Sequence, residues 1–187
     1  MSPTIRRLLA GFAAVVTVGT MAPIGAQESA DAKFLMDAIR DNMAEVKIGD
    51  YAENHAGSDV ARDFGKMLGT DHAKALKEHA ALARSKKIAV PTEVTAEQGH
   101  TYDKLAKLSG AELDRAFAQA MVAGHEKAIA AYEKEAKNGR DPDIVALASD
   151  TLPTLREHLA HAQALAEGEV RTSQRPDSGS SAPRRLE

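Results

Sequence analysis

Four side chains in this 187-residue sequence are of the kind that hold divalent metals, and they recur where helices should be apolar: Glu45, His72, His125 and His158. Neutral imidazoles and a carboxylate are strong nitrogen and oxygen donors. The chain has no Cys, which excludes thiolate sites and a disulfide framework. Three nitrogens and one oxygen suit zinc best, with copper, nickel and ferrous iron as competitors. Such a set meeting in a dry core is costly unless something compensates its charge and lone pairs. A divalent cation does so.

Elements must place these groups together. A composition with 4 % aromatic residues and abundant Ala favours helices packed closely through small side chains. Ser29 to Asp31 supplies a cap for a first helix over residues 31–55, and Ser58 caps a second that runs to about Ser85. Pro91 breaks the pattern, and a weaker helical piece follows over 96–108. A third long helix starts at Ser109, where Ser109 and Glu112 form a capping-box pattern. The fourth starts near Asp141-Pro142 and runs to about Glu167, with a kink expected at Pro153. Short breaks join the helices within each pair, and a long crossover with its short helix joins the pairs. The expected fold is all-α, an antiparallel four-helix bundle of two helical hairpins.

Unrolled at about 100° per residue, each long helix brings one donor inside its apolar stripe. Glu45 lies among Phe34, Ala38, Gly49 and Ala52, and His72 among Phe64, Leu68, Ala75 and Leu82. His125 edges the stripe of Phe117, Met121, Ala128 and Tyr132, and His158 that of Ile144, Ala148, Leu155 and Ala162. Counting from the helix breaks at about 1.5 Å per residue sets all four near mid-bundle, with mismatches of roughly 5–8 Å.

A single core histidine is more often structural than a ligand, and Glu45 alone could pair with a lysine. Four donors, one per helix and near one level, are harder to explain singly. His79 lies two turns beyond His72, as a supporting group or as core. His161 stands three residues after His158 but rotates to the flank, and His55 and His100 are expected at the surface. Asp71 and Asp114 are candidates to hold imidazole N–H groups, with solvent exposure the alternative.

The ends read differently. Residues 1–26 combine a basic start, an apolar run too short to span a bilayer and small residues before Gln27, the pattern of a secretory signal peptide. The expected location is therefore the periplasm, with no transmembrane segment in the mature chain. The bundle domain is expected over 27–168. Residues 169–187, rich in Arg, Pro, Gly and Ser, are expected to be disordered. Residues 27–170 carry 18 Lys/Arg against 25 Asp/Glu, a balance that excludes nucleic acid as a partner. Nothing in the sequence names a protein partner.

The stretches "EVKIGDYAENHAGSDVARDFGKMLGTDHAKA", "ELDRAFAQAMVAGHEKAIAAYEKEA" and "TLPTLREHLAHAQAL" resemble the ferritin-like domain-of-unknown-function family 4142, exported bacterial helical-bundle proteins. The resemblance covers about Asp31 to Ala166. It implies a periplasmic four-helix bundle and, in members with a metal site, a zinc-type centre on Glu45, His72, His125 and His158. His79 and His161 depart from the family pattern and leave open a shifted or second site. Ferritin chemistry does not follow. Di-iron bundles need a Glu-x-x-His on each of two helices, and the only such pair here, Glu97 to His100, lies in the crossover.

Three functions compete: a metal-binding bundle with a structural, buffering or stress-related role, a mononuclear metalloenzyme, and a metal-free bundle acting through partners. Four protein ligands close a coordination sphere as structural sites do. The sequence shows no further base, nucleophile or substrate pocket, which places metal binding ahead of catalysis.

Overall fold

Small residues let the first two long helices lie almost backbone to backbone. In this computed structural model, which describes residues 29–173 and side chains as far as residue 168, α1 spans Ala30–His55 and α2 spans Asp59–Ser85. A Cβ placed on Gly49 would stand 2.7 Å from the Gly65 carbonyl oxygen, and one on Gly65 would stand 2.7 Å from the Glu53 nitrogen. Only glycine permits that approach, so these two positions set the spacing of the first hairpin. The second hairpin is α4, Gly110–Asn138, against α5, Pro142–Ser173, and the short helix α3, Ala96–Leu105, lies in the crossover. Between the hairpins α1 meets α4 and α2 meets α5, while α3 rests on α1 and α4. The described residues form no strand, only a single bridge between Ala56 and Gly110.

The caps at Ser29 and Ser58 form as expected, each hydroxyl accepting from the backbone nitrogen three residues on, at 3.1 and 3.2 Å. The expected capping box at Ser109 does not. Ser109 makes no side-chain cap bond, and Gly110 enters α4 at φ +59°, a left-handed start that turns the serine away from the first helical turn. The reciprocal box sits instead on α3, between Thr95 and Gln98. α5 runs through Pro153 without a break and continues to Ser173, past the Glu167 at which the sequence pattern ended it. Residues 1–28, where a signal peptide is expected, and residues 174–187 lie outside the described residues.

Two buried carboxylates tie the hairpins together at opposite ends. Asp114 on α4 accepts from the nitrogens of Gly57 and Ser58 at 2.6 and 2.8 Å, satisfying free donors at the start of α2. Asp31 on α1 accepts from the nitrogens of Arg140 and Asp141 at 2.9 and 2.7 Å, in the turn before α5. Asp114 is 2 % exposed, so it is neither an imidazole partner nor a solvated charge. It is a cross-tie.

Apolar burial fills the space between these ties. One cluster packs Ile48, Phe64, Leu68, Phe117, Met121 and Leu165 toward the Asp114 end. A second packs Ala38, Tyr132, Ala148, Leu152 and Leu155, and a third Leu35, Ile39, Ala83 and Ile144. Each fully buried large side chain contributes about 1.5–3 kcal/mol against the entropy of ordering the chain. Between the first cluster and the second the core turns polar.

Candidate metal centre

Three helices from both hairpins bring His72, His125 and His158 to one place. Each is buried, at 7, 1 and 1 % exposure. One ring nitrogen from each lies within 4.8 Å of the corresponding atoms of the other two. The ring centroids stand 5.2–5.7 Å apart.

The outer nitrogen of every ring is committed to an oxygen. His72 Nδ1 donates to Asn42 Oδ1 at 2.9 Å, and Asn42 is itself fixed by donating to the Ala38 carbonyl at 2.7 Å. His125 Nδ1 donates to the Met121 carbonyl at 2.9 Å. His158 Nε2 donates to Asp71 Oδ2 at 3.1 Å. Each acceptor holds the proton on the outer nitrogen and leaves the inner one bare. His72 Nε2 consequently has no partner at all. With both rings neutral, His125 Nε2 and His158 Nδ1 face each other at 3.4 Å as two lone pairs. Converging lone pairs in a buried site are unfavourable by themselves and are the donor set a cation needs. In a tetrahedral site with Zn–N of about 2.0–2.1 Å the ligand nitrogens stand roughly 3.4 Å apart. The His125–His158 pair already has that spacing, and His72, within 4.8 Å of both, closes its side by a shift of at most about 1.4 Å.

Electrostatics keeps the rings in the ligating state. Burial, followed by the neighbouring imidazoles of His158 and His125, holds His72 well below the ordinary histidine range. Burial is also the main reason His125 falls to about 4, against a hydrogen bond to Met121 that works the other way. Both rings are neutral at physiological pH, so no proton need leave them when a metal binds.

Glu45 stands outside the group of three but lines the same cavity. Its Oε2 is buried without a hydrogen-bond partner. Burial first, then the charge of Asp41, raises its carboxyl to about 8. The cavity, of about 570 Å³, is bounded by α1, α2, α4 and α5 and by residues at the start of α3.

The remaining candidates separate cleanly. Asp71 accepts from the outer nitrogen of His158. His79 is fully buried, but its Nδ1 is bonded to the Ala75 carbonyl at 2.7 Å and its Nε2 to the Tyr132 hydroxyl at 2.9 Å. Both nitrogens are occupied, so His79 is core and forms no shifted or second site. His161 packs its ring on Phe64 from the exposed flank. His55 stacks on Tyr51 at the surface, and His100 is exposed on α3. Sequence reasoning missed Asn42 and the Met121 carbonyl. Asn42 had a signal, since it stands three residues before Glu45 and therefore on the same helix face.

The sequence profile of one protein family, described as a domain of unknown function (DUF4142), matches residues 17–165. The chain belongs to the DUF4142 family. No curated protein matches it. Two solved structures resemble this DUF4142 chain in fold. A DUF305 fragment from Deinococcus radiodurans aligns with a TM-score of 0.65 at 12 % identity, over 74 % of this chain and 95 % of the fragment. CopM in the Cu(II)-bound form aligns with a TM-score of 0.63 at 17 % identity, over 74 % of this chain and 96 % of CopM. These likenesses establish a shared helical fold. The buried histidine triad of this DUF4142 chain, with its nitrogens bare and convergent, has the geometry of a metal site.

Proposed function

We propose that this chain is an exported, periplasmic metal-binding protein, a ferritin-like four-helix bundle that holds one divalent ion on His72, His125 and His158. The observation that carries the reading is the arrangement of the six imidazole nitrogens: three donate outward to oxygen and three converge unprotonated. Glu45 lines the cavity beside the ion without coordinating it. Its unpartnered Oε2 balances the charge of the ion, and the ion in turn makes ionisation of that buried carboxyl favourable. Three neutral imidazoles with a carboxylate nearby to balance charge suit zinc. The role is structural or buffering: the ion joins helices that belong to different hairpins, so binding it adds to folding stability. The signal-type start of the sequence supports export. No described helix is long and apolar enough to cross a membrane.

Copper is the second reading. It is supported by the likeness in fold to CopM, whose solved structure is a Cu(II)-bound form, and imidazole donors accept copper as readily as zinc. Elemental analysis of the untagged mature protein, followed by titration of the metal-free form with each ion, tests both readings. One equivalent is expected, with stabilisation of about 4 kcal/mol when free metal is a thousand times Kd. His72→Ala and His125→Ala should each abolish it. A melting temperature indifferent to metal and to chelator would refute the proposal.

A further inference from the structure

We infer that the metal centre keeps one coordination position for a ligand from solution, and that the adjoining cavity takes a small uncharged or cationic organic molecule whose nitrogen fills it. This rests on the metal-binding reading above and adds the ligand class of that site. Three ligand nitrogens converge among the described residues, one short of the four donors a zinc-type ion takes. Glu45 lines the cavity without joining that group.

The side of the triad left open is not packed. It faces the cavity of about 570 Å³, whereas a single water occupies roughly 30 Å³. Pockets for small organic ligands run from about 300 to 1,000 Å³. The room comes from α4, which presents Ala120, Gly124 and Ala128 to the space at successive turns. A Cβ on Gly124 would meet only Glu45 Oε1, at 3.5 Å. The unpartnered Nε2 of His72, a residue 7 % exposed, also lines this space. The wall of small residues on α4, beside the two unsatisfied atoms His72 Nε2 and Glu45 Oε2, favours a compact molecule that coordinates at one end and packs at the other.

Charge selects among such molecules. Five carboxylates line the cavity against two cations, Arg40 and Lys127. Those cations face Asp37 at 3.0 Å and Glu97 at 3.9 Å. Even with a divalent ion in place the lining retains a negative surplus, which disfavours an anionic ligand and admits an uncharged or positive one.

Cobalt(II) loaded into the untagged protein gives a visible spectrum that reports its coordination, and imidazole and azide serve as uncharged and anionic probes. The expected result is a saturable spectral change with imidazole, with azide binding roughly tenfold more weakly. Asp41→Asn should narrow that gap. Gly124→Leu, which fills the cavity, should keep the cobalt spectrum and lose most of the imidazole response, with its helix content checked by circular dichroism. Cobalt bands that neither probe moves would overturn the inference and leave metal binding standing. Absence of cobalt bands altogether would overturn the metal reading itself. Azide binding as tightly as imidazole would overturn the ligand class.

Discussion

Replacing Glu45 with Gln separates what the carboxyl costs the metal-free protein from what it contributes to the loaded one. Without metal the folded chain keeps a proton on Glu45 up to about pH 8, while an ordinary glutamate releases it at 4.5. Across that window the folded state binds the proton more tightly than the unfolded state, so stability falls as pH rises, by about 1.4 kcal/mol per unit. From pH 4.5 to pH 7 the loss amounts to about 3 kcal/mol. Glutamine keeps the shape and removes the ionisation. Urea denaturation of both proteins in chelator, at pH 5 and at pH 7, should show the variant gaining roughly 2–3 kcal/mol on the native sequence between the two conditions. His72 and His125, both depressed by burial, act in the opposite sense: their contribution is lost as pH falls below 6.5. That slope is common to both proteins and cancels in the difference. With zinc saturating, the order should reverse, because the native carboxylate balances the ion and the amide does not. Parallel stability curves for the two metal-free proteins would refute the buried, unpartnered state assigned to Glu45.

Other perturbations address the supporting structure. Asn42→Leu removes the acceptor that fixes the His72 tautomer and should weaken metal binding about 10–100-fold, measured by competition with a chromophoric chelator. Tyr132→Phe strips His79 Nε2 of its buried partner and should cost about 1–3 kcal/mol by denaturant titration while leaving metal stoichiometry unchanged. Gly65→Ala drives a methyl group onto the α1 backbone and should lower stability by about 1–3 kcal/mol or more, with a fall in melting temperature of the metal-free protein.

The helices were legible because their signals are local. Ser29, Ser58, Pro91 and the break near Gly139 each act on neighbouring residues, and the 3.6-residue period of the apolar stripes pointed Glu45, His72, His125 and His158 inward. The capping box at Ser109 failed as a signal because it assumed ordinary backbone at Gly110, where the chain turns left-handed. Residues that act across hairpins were hidden for a different reason. Asp114 could be read from its helix face as an imidazole partner or as a solvated acid, yet it lies beside the Gly57 and Ser58 nitrogens of a turn more than fifty residues earlier. Periodicity fixes which face a side chain occupies. Which partner that face meets depends on how the hairpins dock. The cavity was invisible likewise, since it arises where small side chains from several helices fail to fill a common space.

The cluster of imidazoles has a bearing on the order in which the chain takes shape. His72 arrives with the first hairpin, whereas His158 is in the last helix, and the contact of His158 with Asp71 spans 87 positions. Closing so long a loop is slow compared with forming either hairpin. On the proposed reading an ion would find a complete chelate only after the two halves have met, and its capture would mark the final step of assembly, a molecular latch thrown once the last helix is home.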